Sequence, residues 1–506
     1  MKKQPIILLS LCMVSLMSCQ PASQQEPEPL QTNKQLLTGF MLRKIDNPSL
    51  SKDIVFDYDS ALHTFYYHTQ SFIDSIHTLI PTFFANGTAF VDGVEVTPCI
   101  TPQDFTLRPI TYQIRQGKIV QSYNIELRCP QSTGLPVLDI QTSDGKEITS
   151  KTEYSDAAIS IYTQGQPQPY LAQQASIRGR GNSTWWYAKK PYRIKLDKKA
   201  ELFGMQSAKT WVLLANAIDP TLLCNTVALE IANRMQCPFV NHTQPVELFI
   251  NRQYRGSYTL TEAIQVKKNR IEIDTLAGGF LTEFDSNYDE VFKAHSQYFA
   301  LPIMMKAPES QEGLDNAVEV INQLEKVLRR NHFSYSDYYQ IVDVESLIRY
   351  MLLNELCKNG EVCHPKSVYA YRKDSNDLLH FGPPWDFDWA YGYTGANYHY
   401  FTYPESLIFH ADNNSEPGSK LFGAFLRDPT FYTLAASYWH DFRPQLDDIE
   451  QYIYQQGDIL RYSQQENAIR WEQEKIHYET YLILMADFLH QRIDAITNTL
   501  SAYAYE

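Results

Sequence analysis

The sequence predicts an α+β protein in which a small β-sandwich precedes a larger domain of mixed strands and helices. Three observations lead to this prediction. Short segments of alternating polar and apolar residues, separated by turn residues, occupy the stretch from Thr88 to Leu127. Proline and glycine punctuate residues 129–136 and mark a domain boundary. Strand and helix patterns intermix beyond it, and the chain is mostly helical after Ser419.

The N-terminal segment has the pattern of an export signal. Lys2 and Lys3 precede an apolar run from Ile6 to Leu16. This run is too short to cross a bilayer and is typical of a signal peptide. We therefore predict a signal peptide at residues 1–18.

The residues that follow indicate a lipid anchor. Ser18, a small residue, stands directly before Cys19, which is the pattern of bacterial lipoproteins whose cysteine thiol is acylated. Residues 19–30, rich in Gln, Pro and Glu, are predicted to be a disordered tether. The chain is thus expected to be an exported lipoprotein attached to the membrane through Cys19, and Gln20 favours the outer membrane, on either its periplasmic or its surface face.

Residues 31–132 are predicted to form the β-sandwich. The stretch 89–96 predicts a hairpin with Asp92-Gly93 at its turn. Residues 111–114 and 123–127 alternate with a period of two, as strands do. No catalytic pattern is visible in this part, so its expected role is that of a spacer or binding module.

Residues 133–505 are predicted to form one larger domain. Asp219 and Pro220 have the pattern of a helix start, followed by apolar residues at helical spacing. The other helices are expected from the same spacing, and the strands from alternation. The predicted helices are 219–235, 314–330 and 344–358; the predicted strands are 137–140, 159–162 and 368–372, with a hairpin at 246–264.

Composition limits the partners and the metal chemistry. The chain has 44 Lys and Arg against 58 Asp and Glu, a net charge of −14. Nucleic acid is therefore not an expected partner, because binding its phosphates needs a basic surface. CxxC pairs and an HExxH motif are absent from the sequence, which argues against zinc. In an oxidising compartment, Cys99–Cys129 and Cys357–Cys363 are candidate disulfides.

The most informative stretch is 383–389, Pro-Pro-Trp-Asp-Phe-Asp-Trp. Asp386 and Asp388 stand one residue apart after an apolar segment, and at a strand end alternate side chains point the same way. Two such carboxylates can hold Mg²⁺ together with phosphate oxygens. The alternative is a pair of structural carboxylates bonded to backbone amides or an arginine.

A glycine-rich turn at 178–184, Arg-Gly-Arg-Gly-Asn-Ser-Thr, offers the matching anion site. Glycine permits close backbone approach, and arginine is a bidentate phosphate donor. The strand 189–196 follows, with Arg193 and Lys195 on one face. A tight hairpin followed by a solvated edge strand would have the same pattern.

The order of these parts favours a kinase-like domain of two lobes. A glycine-rich turn, a lysine strand, a helix bearing Glu230, a hairpin, an extended segment at 278–285 and a helix ending at Asn354-Glu355 precede the Asp386 segment. Protein kinases arrange their parts in this order, although the HRD, DFG and VAIK signatures are absent.

Several longer motifs make the resemblance specific. These motifs are RGRGNST (178–184), KKPYRIKL (189–196), WVLLAN (211–216), residues 219–225, GSYTLTE (256–262), residues 354–355 and PWDFDW (384–389). With them the sequence resembles the spore-coat CotH kinase family over roughly residues 135–500, and the preceding β-domain resembles the immunoglobulin-like modules of Bacteroidetes-type lipoproteins.

The resemblance implies an atypical secreted protein kinase that binds ATP and Mg²⁺ and phosphorylates Ser or Thr of extracytoplasmic proteins. Lys195 would then meet the nucleotide phosphates, and Asp386 would hold Mg²⁺ with Asp388 as a further carboxylate. Either Glu230 or Glu262 could pair with Lys195, and the sequence does not choose between them. Further nucleotide-binding residues implied by the resemblance are Arg178, Arg180, Asn182, Glu230 and Glu262.

The sequence departs from the family pattern at the catalytic loop. The position of the family's catalytic aspartate is taken by Glu361, and the asparagine that helps hold the metal aligns near Lys366-Ser367. A misplacement on the order of 1 Å costs about 10²-fold in rate. The sequence therefore also leaves open a catalytically impaired kinase-like scaffold or binding lipoprotein of the envelope. A glycan hydrolase using Asp386 and Asp388 is disfavoured, because such carboxylates flank a bond at separations of about 5–10 Å.

Overall fold

The computed structural model describes residues 34–268, 270–395, 398–411, 415–473 and 477–501. The predicted signal peptide, Cys19 and the tether lie outside the described residues. Within them, helices and strands mix along the chain, so the α+β class is confirmed. In the same ranges, none of the helices combines the length and the apolar character that a membrane crossing needs.

Residues 37–128 form two sheets around a shared apolar core that includes Phe40, Phe65 and Tyr112. One sheet has the order β2-β1-β5 and the other the order β3-β4-β9-β8-β6-β7. The predicted hairpin at 89–96 is confirmed, with two residues of positive φ at its turn. The strands are β1 (Leu37–Leu42), β2 (Ile54–Val55), β3 (Asp57–Asp59), β4 (Thr64–His68), β5 (Pro81–Ala85), β6 (Thr88–Val91), β7 (Val94–Val96), β8 (Ile110–Gln116) and β9 (Ile119–Arg128).

Seven strands then close into a barrel with the order β10-β11-β12-β13-β14-β16-β15. Alternation decides which side chains fill it: Ile194 and Trp211 point inward, and their neighbours Arg193 and Val212 point outward. Helix α1 (Cys224–Arg234) connects two of the strands. The barrel strands are β10 (Val137–Thr142), β11 (Ser155–Tyr162), β12 (Leu171–Gly179), β13 (Tyr192–Leu202), β14 (Met205–Leu214), β15 (Thr243–Ile250) and β16 (Gln253–Glu262).

A five-stranded sheet follows, with the order β18-β19-β17-β20-β21, and the largest apolar core joins it to the helices. Its strands are β17 (Phe280–Phe284), β18 (Lys293–His295), β19 (Pro302–Ala307), β20 (Val368–Arg372) and β21 (His380–Phe381). The helices are α2 (Gln311–Leu328), α3 (Tyr335–Tyr338), α4 (Val344–Leu356), α5 (Pro417–Phe425), α6 (Pro429–Phe442), α7 (Ile449–Ile459), α8 (Ser463–Arg470) and α9 (Tyr478–Ser501).

The short helix α8 joins three parts of the molecule. Its Glu466, only 1 % exposed, is bonded by His68 on β4 and by Arg108 in the loop before β8, at 3.0 and 3.2 Å. On the barrel side, the amide of Ser257 donates to Asn467 Oδ1 at 3.2 Å, and Arg470 donates to the carbonyl of Tyr254 at 2.7 Å. The N-terminal sheets are thus docked on the rest of the chain through buried polar contacts.

Two expectations about local structure are corrected. Helix α1 begins at Cys224, five residues later than predicted, because the Asp219 carboxylate bonds the amides of Thr221 and Cys224 in a preceding turn. The two candidate disulfides are not formed, and the six cysteines of the described residues are free thiols. Cys99 is exposed and Cys129 is buried.

Candidate functional site

A cleft of about 410 Å³ lies between the outer face of the barrel and the five-stranded sheet. Residues of the glycine-rich turn, β13 and β14 line one wall. Residues of β17 and β19, the loop 361–367 and the segment 385–389 line the other. Most of the residues that the sequence singled out for chemistry therefore meet in one place.

Three arginines form the barrel wall. Arg178 and Arg193 are direct cross-strand partners on β12 and β13, and Val212 on β14 lies beside Arg193. Arg180 in the turn stacks over the Trp385 ring with its guanidinium carbon 5.5 Å from the centroid. The turn itself is held by Lys151, whose Nζ donates to the carbonyl of Gly181 at 3.0 Å.

The three arginines of this wall have no ion-pair partners in the part of the chain that the structure describes. The Nε atoms of Arg178 and Arg193 are buried without a hydrogen-bond partner. Burial lowers the pKa of Arg193, and the charges of Arg178 and Arg180 lower it further. Directly opposed like charges destabilise a sheet, so this wall is built to receive an anion.

Carboxylates form the opposite wall. Asp386 has a positive φ of 64° and lies in an irregular segment after β21, so the prediction that it stands on a strand end is wrong. Its carbonyl accepts a bond from Asn359 Nδ2 at 3.4 Å, and its Oδ2 accepts one from Ser367 Oγ at 3.4 Å. Asp388 is 8 % exposed, and its Oδ1 accepts a 2.6 Å bond from Asn225 on α1.

The carboxylate wall lacks sufficient positive charge of its own. Burial and the charge of Asp386 together raise the pKa of Glu361 to about 9, although the charge of Lys366 lowers it. Burial and Asp386 likewise raise the pKa of Asp388 to about 7. A hard cation would relieve this repulsion, so the donor set fits Mg²⁺. The described residues contain no group of three or more His, Cys, Asp or Glu side chains already converged as a metal site. Phosphate oxygens would therefore have to complete the coordination.

Part of the cleft lining, called its apolar end, is a buried apolar cluster. Val212, Leu214, Ala263, Tyr369 and Trp385 belong to this cluster and line the cleft. Such a surface suits the flat face of an aromatic base. The cleft thus combines an apolar end with an anion-binding wall and a carboxylate wall.

A lysine that the sequence did not single out also reaches this cleft. Lys306 on β19 bonds Glu283 on β17 at 3.2 Å and also pairs with Glu290. Burial raises the pKa of Glu283, and Lys306 lowers it. Lys306 and Glu283 thus form a partly buried ion pair between two neighbouring strands at the cleft.

The structure brings six of the predicted residues to the cleft and leaves three outside it. Lys195 is exposed and does not line the cleft. Glu230 pairs with Arg234 on its own helix at 2.8 Å, and Glu262 pairs with Arg270 at 3.0 Å and with His242 at 2.9 Å, so neither is bonded to Lys195. The six residues at the cleft are Arg178, Arg180, Asn182, Glu361, Asp386 and Asp388.

Some of the residues that sequence reasoning missed had a visible signal. Arg193 shares a strand face with Lys195 and lies two positions nearer the glycine-rich turn, which is what carries it into the cleft. Asn225 ends the motif stretch 219–225, although no role was assigned to it, and Lys306 had no such signal. Their contacts join segments far apart in the sequence, and spacing does not reveal such contacts.

A model of the CotH kinase protein family matches residues 177–496, which is more than half of the chain. The match covers the barrel strands from β12 onward, the five-stranded sheet and nearly all the helices, and so includes both walls of the cleft. A search of curated proteins finds no matching relative.

Proposed function

The chain belongs to the CotH kinase family, and on this premise we propose that it is an atypical protein kinase. It transfers the γ-phosphate of ATP to Ser or Thr of secreted or envelope proteins. The domain that carries this activity has two lobes, the barrel and the sheet-plus-helix body, with the nucleotide between them.

One observation carries the proposal: two walls of opposite charge face each other across a single cleft, and among the described residues no ion pair joins the three arginines of one wall (Arg178, Arg180 and Arg193) to the carboxylates of the other. Burial and then the charge of Asp386 raise the pKa of Asp388, and the charge of Arg180 lowers it. A triphosphate with a divalent cation satisfies both walls at once, since its oxygens accept from arginine and share the cation with the carboxylates.

Each part of the cleft has a separate role in the proposed reaction. The arginine wall binds and orients the phosphates, and the apolar end holds the adenine. Mg²⁺, when bound, supplies positive charge that stabilises the transferred phosphoryl group. Asp386 would hold it, with the Asp388 carboxylate beside it, while Glu361 would orient the acceptor hydroxyl.

The transfer itself is a simple exchange at phosphorus. A bond forms between the acceptor hydroxyl oxygen and the γ-phosphorus as the bond from that phosphorus to the β–γ bridging oxygen breaks. The electron pair of the broken bond leaves with ADP, and the hydroxyl proton passes to the Glu361 carboxylate.

The setting of this activity is also a proposal. We take the protein to be an exported lipoprotein anchored through Cys19, with residues 31–132 as an immunoglobulin-like module. Its protein substrates would then lie outside the cytoplasm, and nucleic acid would not be among its partners. The acidic composition, with a net charge of −14, supports the last point.

A specific observation favours a second candidate, a kinase-like scaffold that binds nucleotide without transferring phosphate. Glu361 stands where the family has an aspartate, and its pKa of about 9 keeps it protonated at neutral pH unless a cation lowers that value. A protonated carboxyl group cannot accept the hydroxyl proton. The scaffold would keep the cleft and its nucleotide but lack turnover.

Labelled phosphate transfer separates the two candidates. Residues 20–506 are incubated with Mg²⁺ and ATP labelled at the γ-phosphate, with and without a generic acceptor protein. Transfer is expected, and Asp386→Ala should reduce it about 100-fold or more, as the loss of a charge-stabilising group at a transition state does. Absence of transfer with retained ATP binding would establish the scaffold instead.

A further inference from the structure

The hydroxyl of Ser367 lies against the carboxylate that is expected to hold the metal. Ser367 Oγ is 3.4 Å from Asp386 Oδ2, and the Ser367 side chain lines the cleft. Both residues belong to irregular segments, one just before β20 and one just after β21. These adjacent strands pair antiparallel, which brings the two segments together at one end of the sheet.

The position of Ser367 is fixed by its backbone. Its φ is 50°, in the left-handed region that a non-glycine residue seldom adopts. The backbone amide of Ser367 donates to Asp285 Oδ2 at 3.2 Å, and the amide of Ser286 donates to the carbonyl of Pro365 at 2.9 Å. Asp285 is 2 % exposed, so a buried carboxylate at the end of β17 holds this loop. Such strain persists where the surroundings over-determine it and is common at functional sites.

The spacing suits two neighbouring ligands of one cation. Octahedral Mg²⁺ has ligands at 2.0–2.1 Å, which places adjacent ligand oxygens about 2.9 Å apart. The 3.4 Å separation of Ser367 Oγ and Asp386 Oδ2 is about half an ångström wider. A serine hydroxyl is an accepted magnesium ligand in phosphate-binding sites, where it acts together with an aspartate.

Asp388 is less free to serve as the second ligand. Its Oδ1 is held by Asn225 at 2.6 Å, and the amide of Phe387 donates to Asn225 Oδ1 at 2.9 Å. Asn225 therefore bonds both the side chain of Asp388 and the backbone amide of Phe387. Asp388 is also more deeply buried than Ser367.

From this geometry we propose that Ser367 Oγ, together with Asp386, binds the catalytic divalent cation. Ser367 therefore takes the place that an asparagine was expected to fill. Asp388 acts as a positioning residue that holds the segment through Asn225. The inference rests on the proposed function, because the cation is that of a bound Mg²⁺–ATP. Once the cation is bound, the Ser367 O–H turns away from Asp386, and both oxygens direct lone pairs at the metal.

The test measures the Mg²⁺ concentration that the binding of ATP requires. The ATP-dependent rise in melting temperature of residues 20–506 is recorded across a Mg²⁺ titration and again in EDTA. Ser367→Gly removes the hydroxyl and suits the positive φ. It should raise the half-saturating Mg²⁺ concentration about tenfold or more, since even outer-shell changes cost 10–100-fold in metal affinity. Binding of ATP in EDTA should not change.

Two further variants guard the interpretation. Ser367→Asn tolerates the left-handed conformation and offers an amide oxygen, so it should restore most of the Mg²⁺ affinity. Ser75→Gly makes the same change at a φ of 60° in the N-terminal sheets, away from the cleft, and should leave the titration unchanged.

Three results would overturn the inference. An unchanged half-saturating Mg²⁺ concentration in Ser367→Gly would show that the hydroxyl is not a ligand. Phosphate found on Ser367 by mass spectrometry after incubation with ATP would make it an acceptor instead. A wild-type protein that binds no ATP at any Mg²⁺ concentration would overturn the proposed function itself, which distinguishes that failure from the first.

Discussion

At the scale of single residues, the comparison of Arg193 with Lys195 shows what a strand pattern does not predict. Both side chains alternate outward on β13, so the pattern treats them alike. Arg193 lies beside Arg178 and Val212 at the cleft, whereas Lys195 pairs with Ser176 and Thr210, one step further along the strands. The alternation predicted the correct face, but the position of the cleft along that face depends on where the second wall docks.

Lys189 is the buried charge with the clearest cost to stability. It is 4 % exposed, and its Nζ has no hydrogen-bond partner among the described residues. Burial lowers its pKa to about 7 from the usual 10.5, although the charges of Glu247, Asp219 and Asp388 oppose the shift. Between pH 7 and 10.5 the unfolded chain therefore binds a proton that the folded chain lacks. The free energy of unfolding must rise with pH across this window.

Lys189→Met is accordingly expected to stabilise the protein at pH 7 by about 1–4 kcal/mol, because an apolar side chain replaces a buried charge. The variant should also lose the rise in stability between pH 7 and 10.5. Urea unfolding at several pH values measures both effects. Lys190→Met is the control, since Lys190 Nζ is bonded to the carbonyls of Trp185 and Tyr187. A destabilised Lys189→Met with an unchanged pH slope would contradict the assignment.

At the scale of elements, long periodic segments were predictable and irregular ones were not. Strand β20 spans Val368–Arg372, as the alternation predicted, and α4 begins at Val344 as predicted. The segment around Asp386 was expected at a strand end, but β21 ends at Phe381. Its conformation depends instead on contacts from Asn225 and Asn359, which are distant in sequence.

The contact of α8 with β16 depends on one glycine. Gly256 has a φ of +106°, and a Cβ there would lie 2.6 Å from Asn467 Oδ1 and 2.7 Å from Trp471 Nε1. Gly256→Ala should therefore displace α8 as well as strain the backbone. Gly204 also has a positive φ, of +78°, but has open space around it, so Gly204→Ala reports the strain alone.

Gly204→Ala and Gly256→Ala are expected to lower the free energy of unfolding by different amounts. Gly204→Ala should cost about 1 kcal/mol, the cost of a left-handed non-glycine residue. Gly256→Ala should cost clearly more, because the side chains of Asn467 and Trp471 must also move. Denaturant unfolding of both variants measures the difference. Equal losses would show that α8 adapts freely and is not held by β16.

At the scale of the whole molecule, the mixture of strands and helices along the chain was predictable, but the closure of the sheets was not. The barrel closes through parallel pairing of β10 with β15, which are more than 90 residues apart. Local alternation carries no information about such a pairing. The domain boundary near residue 133 and the immunoglobulin-like assignment stay predictions. The docking of the N-terminal sheets on α8 had no signal in the sequence.

The Arg108–Glu466 pair should make that docking a strong contribution to stability. Both side chains are 2 % exposed. Removing one member of a buried pair leaves a buried charge and costs about 3–5 kcal/mol. Glu466→Ala should therefore lower the melting temperature and separate the unfolding of the N-terminal sheets from that of the rest. Calorimetry would show two transitions.

Asp447→Ala is the matched control. Asp447 pairs with Arg443 at the surface, where the Arg443 side chain is 46 % exposed and the Asp447 side chain 64 % exposed. Exposed pairs contribute about 0–1 kcal/mol. A single transition in Glu466→Ala at the melting temperature of the control would show that the N-terminal sheets are held by other contacts.

The central claim is that a nucleotide triphosphate with a divalent cation is bound between the arginines of β12 and β13 and the carboxylates at residues 386–388. The most direct measurement is the melting temperature of residues 20–506 with ATP and Mg²⁺. The wild type and Lys195→Ala should show the same increase by mass action. Arg193→Ala and Asp386→Asn should lose most of it. An increase that survives in Arg193→Ala and disappears in Lys195→Ala would contradict the placement of the site.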